Sequence, residues 1–217
     1  MSGIGDRIRT RIADPDEDSI GARLRRRRWE QLVRRFPEID QMRVLDLGGT
    51  VEHWQLAPVR PASLVVVNIY GQETADSHVR TVVGDACRLP DELRDEHFDL
   101  VYSNSVIEHV GGHLRRVDMA EEARTHGDHH WIQTPYRYFP VEPHWLFPGF
   151  QFLPVSARAW LSSWWPLGWS RPRGRAALGN VLETELVSGA EMAYLFPDSD
   201  IVHEKVLGLT KSLIAVR

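Results

Sequence analysis

The chain has 217 residues, of which 42% are hydrophobic and 26% charged, with a formal net charge of −4. That length allows one domain with a full core, and the mild acidity gives no reason to expect a nucleic-acid partner. Cys87 is the lone cysteine, which excludes an internal disulfide and suits a reducing, cytoplasmic setting.

Residues 1–18 alternate Arg and Asp. They lack the apolar stretch of a secretion signal and are predicted to be mobile. No apolar run approaches the ~20 residues of a membrane helix, so stable membrane insertion is not expected. Ser19 is a candidate N-cap for a helix whose stripe is Ile20, Leu24, Leu32, Val33 and Phe36, stopped by Pro37. Arg25 to Arg28 lie within it. They are either a solvated face or part of a lid that closes over a ligand.

Val44-Leu45-Asp46-Leu47-Gly48-Gly49 reads as a strand buried on both faces that ends in an acid and a glycine turn. The glycines allow a sharp turn and keep Cβ atoms away from the main chain that a ligand would approach. A short helical stretch around Trp54 follows. Leu64 to Ile69, Val79 to Val83 and Phe98 to Ser103 are three more buried strands. Ser105 and Glu108 have capping-box spacing and predict a helix start. The next predicted helix runs from about His113 to His126, before Gly127. Trp131 to Thr134 is a fifth strand broken by Pro135. His126, His129 and His130 are expected to be solvated around the turn, with no metal-motif spacing. Strands alternating with helices predict an α/β protein with a mostly parallel sheet.

Twelve of the twenty aromatic residues fall between Trp131 and Trp169, among many prolines. This stretch has the makings of a lid, a pocket wall or a subunit contact. Trp160, Trp164, Trp165 and Trp169, with Arg171, Arg173 and Arg175 behind them, leave three readings open: core or homodimer contact, acceptor wall, and membrane-surface contact. Ser188 to Glu191 repeats the capping-box spacing. Asp200 to Val206 and Leu209 to Val216 form a predicted hairpin turning at Gly208, which makes the last strand antiparallel to the rest.

These pieces, in this order, resemble the class I S-adenosylmethionine-dependent methyltransferases, with a seven-stranded Rossmann-like sheet, an antiparallel last strand and here an aromatic-rich cap. The resemblance implies a single domain in four parts. They are an N-terminal arm and lid helix (1–42), a cofactor-binding core (43–134), an aromatic cap or acceptor loop (135–187) and a C-terminal helix and hairpin (188–217). It implies that Asp46, Gly48 and Gly49 cradle the methionine part of S-adenosylmethionine. Asn68 stands where the family has a ribose-binding carboxylate, a departure that Tyr70 would help to offset. Asp85 and Ala86 would meet the adenine, and Ser103 and Asn104 would face the methyl group.

The segment Thr134 to Trp145 follows the fifth strand and resembles a Glu-Pro-His loop of some of these enzymes. It makes His144 the candidate general base and Glu142 its orienting partner or the holder of a divalent cation such as magnesium. His109 is the alternative base. Tyr136, Tyr138, Trp145 and Glu108 are candidate acceptor contacts. The implied activity is methyl transfer to a hydroxyl of a sugar or oligosaccharide, and actinobacterial O-methyltransferases of methylmannose oligosaccharides are one similar group. Methylation of a lipid, quinone or other small molecule is the alternative within the class. A non-catalytic cofactor-binding subunit is the alternative outside it.

Overall fold

Seven strands make the main sheet of the computed structural model, which describes residues 19–168 and 171–217. The arm over residues 1–18 and Trp169, both given roles above, lie outside the described residues. The strands are β1 (Arg43–Leu47), β2 (Ser63–Asn68), β3 (Val79–Val83), β4 (Phe98–Asn104), β5 (Gly127–Pro135) and, numbered after a small hairpin β6 (Val141–Glu142) and β7 (Phe147–Pro148), β8 (Asp200–Val206) and β9 (Leu209–Val216). The helices are α1 (Ile20–Arg35), α2 (Val51–Gln55), α3 (His113–Thr125), α4 (Val155–Ser162), α5 (Arg175–Leu182) and α6 (Gly189–Leu195).

Sheet order is β3-β2-β1-β4-β5-β9-β8, with every pairing parallel except the two made by β9. The strand–helix alternation predicted the parallel part of this sheet, and the whole is the Rossmann-like methyltransferase fold that the resemblance implied. The apolar runs explain it: Leu45, Leu47, Val65, Val67, Val101 and Ile132 are buried between layers, packed with Met119 and Ala123 of α3 and Met192 and Leu195 of α6. The chain winds outward from β1 to β3, then returns to place β4 on the other side of β1. The loops after β1 and β4 therefore diverge, leaving a crevice at the carboxyl ends of the strands.

The chain forms two compact units. The sheet belongs to one, residues 37–139 and 184–217. Within it Arg116, 1% exposed, meets Glu191 at 2.5 Å and Glu185 at 3.0 Å. The second unit, of which residues 19–36, 140–168 and 171–183 are described, contains α1, the β6–β7 hairpin, α4 and α5. Ser19 caps α1 by accepting from the Ala22 N–H at 2.9 Å. Arg26 and Arg27 are exposed, as a solvated face requires, whereas Arg28 is buried. The core around the hairpin is aromatic: Trp145 stacks on Phe150 with centroids 4.4 Å apart, and Phe147 meets Trp165 edge-on at 4.8 Å. No helix among the described residues is long and apolar enough to cross a membrane.

Four local expectations fail. β3, read as a buried strand, is an edge strand in which only Val82 is buried. Ser105 caps no helix: it sits at φ +56° and its hydroxyl donates to the Gln133 side chain, and only a single 3-10 turn, Ile107–His109, follows. β5 begins at Gly127, four residues earlier than the apolar run indicated. His126 and His130 are consequently buried rather than solvated, His130 completely. Hydrophobic content locates the covered part of a strand; pairing with β4 carries β5 further back.

Candidate cofactor and catalytic site

The crevice begins at the turn after β1. Gly48 takes φ +79°, where a side chain is strained, and a Cβ there would collide with Val106. A Cβ on Gly49 would collide with the Asp46 carboxylate beneath it. Both glycines therefore permit close packing of protein against protein as well as the turn itself. Asp46 is wholly buried and accepts from the Trp54 indole N–H at 2.7 Å, while its Oδ1 has no hydrogen-bond partner. Burial pushes this carboxyl up to about 7, against the lowering effect of the Trp54 bond.

Two amides hold the outside of the turn. Asn68, at the end of β2, donates to the carbonyls of Gly48 at 3.1 Å and Gly49 at 2.8 Å, and its Oδ1 accepts from the Tyr70 N–H at 3.2 Å. Gln72 donates to the Gly49 carbonyl at 3.0 Å and accepts from the Val51 N–H at 2.8 Å. Ser103, fully buried in β4, donates to the Leu47 carbonyl at 2.8 Å and so ties β4 to the end of β1. Asn104 is half-buried one residue later.

Beside the turn, Ile69 and Tyr70 present their side chains to solvent, at 63% and 72% exposure. Parallel pairing of β2 with β3 puts them next to Gly84 and Asp85. Asp85 accepts from the Cys87 N–H at 2.9 Å, and one guanidinium nitrogen of Arg115 donates to both of its carboxylate oxygens, at 2.7 and 2.8 Å. Despite some desolvation, these bonds hold its carboxyl below the ordinary range. Ala86 is buried in the core.

Glu108 lies in the 3-10 turn after β4, 1% exposed; its Oε2 accepts from Thr134 at 2.9 Å and its Oε1 has no hydrogen-bond partner. His109 is more open, with Nδ1 3.4 Å from the Thr184 hydroxyl. Tyr136 and the exposed Tyr138 meet edge-on at 5.5 Å.

In the second unit, Glu142 and His144 form a built pair. One Glu142 oxygen lies 2.7 Å from His144 Nδ1; the other accepts from the backbone N–H of His144 at 2.7 Å and of Trp145 at 2.8 Å. Glu142 is buried and His144 nearly so. Because the carboxylate accepts, Nδ1 is the donor of this pair, and the bond fixes the orientation of the ring. Trp145 itself is 4% exposed, and its carbonyl accepts from the Trp165 indole at 2.7 Å.

The structure thus groups Asp46, Gly48, Gly49, Asn68 and Ser103 around one turn, Tyr70 and Asp85 at the neighbouring strand ends, and Glu142 with His144. Sequence reasoning missed Ile69, Gln72, Val106 and Arg115. Ile69 was legible as the apolar residue ending a strand. Gln72, Val106 and Arg115 carry no local signal, since each acts through a residue from 21 to 58 positions away.

The fold and these strand ends define a class I methyltransferase architecture. Residues 59–125, about a third of the chain, match the family described as "Methyltransferase domain". None of the curated proteins matches the chain. Among solved structures, it is similar to an S-adenosylmethionine-dependent methyltransferase from Listeria monocytogenes, so described only as a supposition in its own case (9% identity, 90% of this chain and 97% of that one, TM-score 0.54). It is also similar to the N-methyltransferase NodS from Bradyrhizobium japonicum WM9 in complex with S-adenosyl-L-homocysteine (12%, 89% and 86%, TM-score 0.51). A third is the 1,6-didemethyltoxoflavin-N1-methyltransferase from Burkholderia thailandensis (12%, 89% and 76%, TM-score 0.52). At these identities the likeness speaks for the fold, and the matched segment adds the methyltransferase character. The chain thus has the class I methyltransferase fold and carries a methyltransferase-family segment over residues 59–125.

Proposed function

We propose that this chain is a class I methyltransferase that binds S-adenosylmethionine along the ends of β1 to β4 and methylates a hydroxyl of a sugar or glycan, with His144 as general base. The strand ends fit the cofactor's parts. Ile69 and Tyr70 offer exposed apolar surface to a flat ring, and the half-open Asp85 carboxylate is an acceptor for an exocyclic amine. Asn68 has committed its amide to the glycine turn, so its part is to hold that turn in shape, leaving the ribose to Tyr70 and the exposed main chain. When bound, the cofactor supplies an electrophilic methyl group on a sulfonium.

The observation that carries the base assignment is the Glu142–His144 pair. A sugar hydroxyl is a weak acid, and a positioned acceptor for its proton is worth about 10²–10⁴-fold. Glu142 uses both oxygens on His144 and Trp145, which favours orientation of the ring over cation binding. The exposed Tyr138 and its neighbour Tyr136 supply ring faces suited to a sugar, and the buried Glu108, with one oxygen still unbonded, is a further acceptor contact. The sugar itself rests on the resemblance of the Glu-Pro-His loop and these aromatics.

The test is transfer of a labelled methyl group from S-adenosylmethionine to a panel of monosaccharides, oligosaccharides, quinones and lipids. Label in oligosaccharide, lost on His144→Ala with cofactor affinity retained, is expected. Label appearing only in lipid extracts would replace the acceptor class. Full turnover by His144→Ala, with His109→Ala inactive, would move the base to the turn after β4.

A further inference from the structure

The segment from Pro143 to Leu182 contains no Asp or Glu, yet carries Arg158, Arg171, Arg173 and Arg175, in a chain whose net charge is −4. The same 40 residues hold five of the eight tryptophans. Charge and aromatic surface are thus segregated into one stretch of the second unit, and the structure shows that much of it faces outward.

Trp160 on α4 and Trp164 just after it, four residues apart, are 65% and 64% exposed. On α5, which packs against α4, Ala177 and Val181 are buried while Leu178 and Leu182 form an adjacent exposed ridge. The arginines border the tryptophans: the Arg173 guanidinium stands over the Trp164 ring at 5.4 Å, and Arg171 donates to the Pro166 carbonyl at 3.3 Å. Arg171, Arg173 and Arg175 are all exposed.

We propose that this α4–α5 surface docks on an anionic lipid bilayer, with Trp160 and Trp164 in the headgroup layer and Arg171, Arg173 and Arg175 paired to lipid phosphates and carboxylates. Tryptophan prefers that layer because its ring is apolar and its N–H polar. Arginine beside it adds attraction to an anionic leaflet, and acids stand only at the segment's borders, at the buried Glu142 and at the exposed Glu183 that closes α5. Neither helix spans the bilayer: α4 and α5 have eight residues each, so the contact is peripheral. A two-fold dimer through this face would bring the cationic segment against itself, which the charge disfavours.

Flotation of the full chain with phosphatidylcholine vesicles, with and without phosphatidylserine, tests this. Binding is expected only to the anionic vesicles, and it should weaken as salt is raised. At about fivefold per arginine, the triple variant Arg171→Gln, Arg173→Gln, Arg175→Gln should bind about a hundredfold more weakly. Trp160→Ala with Trp164→Ala should lose the tryptophan fluorescence shift that accompanies binding, with unchanged thermal unfolding. Equal affinity for neutral vesicles, no binding at all, or a dimer that the tryptophan variants convert to monomer would each overturn the proposal.

Discussion

Asp46 and His130 are buried groups whose effects on stability oppose each other across one pH window. Burial raises the Asp46 carboxyl from 3.8 to about 7, so between those values the folded chain keeps a proton that the unfolded chain has released. Stability therefore falls as pH rises through that window. At about 1.4 kcal/mol per unit, ionising Asp46 in place costs on the order of 4 kcal/mol. His130 does the reverse. Burial lowers it from 6.5 to about 4, so in that range the unfolded chain takes up a proton that the folded chain refuses. Stability is lost as pH falls, by on the order of 3 kcal/mol.

Asp46→Asn removes one side of this balance. The amide keeps the shape, and its oxygen still accepts from Trp54. Any constant cost of the new NH₂ group cancels when differences between pH values are compared. Relative to wild type, the variant should gain on the order of 4 kcal/mol between pH 4 and pH 7. Its own stability should climb over the range where wild type stays nearly level. Asp85 and Asp128, whose carboxyls are held low, act below this window and do not disturb it. Urea unfolding followed by tryptophan fluorescence across that range gives the comparison. Parallel curves for variant and wild type would refute the assignment of a neutral, buried Asp46.

Gly48→Ala should destabilise by about 2–5 kcal/mol, from its positive φ and the collision with Val106; adding Val106→Ala should restore part of this, and a purely additive double variant would show that Val106 is not the obstacle. Arg116→Met should destabilise by about 1–3 kcal/mol, mainly by taking the buried cation from Glu191, which keeps only the exposed His113, while the half-exposed Glu185 can turn to solvent; unchanged unfolding curves would show that the group is not stabilising. Asp85→Asn should weaken S-adenosylhomocysteine binding by about 1–3 kcal/mol in calorimetry. Arg115→Gln should leave that affinity equal or higher, because Arg115 competes for the same carboxylate; a loss as large as that of Asp85→Asn would mean that the arginine itself contacts the ligand. Glu142→Gln should slow turnover less than His144→Ala does, and insensitivity to a chelator should accompany it if the carboxylate only orients the ring.

The strands of the main sheet, apart from where β5 begins, their order in the chain, the capped helices at Ser19 and Ser188 and the terminal hairpin at Gly208 were legible in the sequence. Each rests on local chemistry: apolar runs that must be covered, side-chain oxygens that satisfy free N–H groups, and a turn that needs a positive φ. The Glu142–His144 pair was legible for the same reason, since its members are two residues apart. Only tertiary structure decided what surrounds these pieces. His130 looks like a turn residue until β5 pairs with β4 and takes it into the core. Ser105 has the spacing of a cap, but Gln133 from the neighbouring strand offers its hydroxyl a better partner. Asn68 reads as a weakened ribose ligand; folding brings the Gly48 and Gly49 carbonyls within its reach and gives its amide a structural task. In each case the deciding partner is distant in sequence, and its approach depends on the sheet closing as a whole.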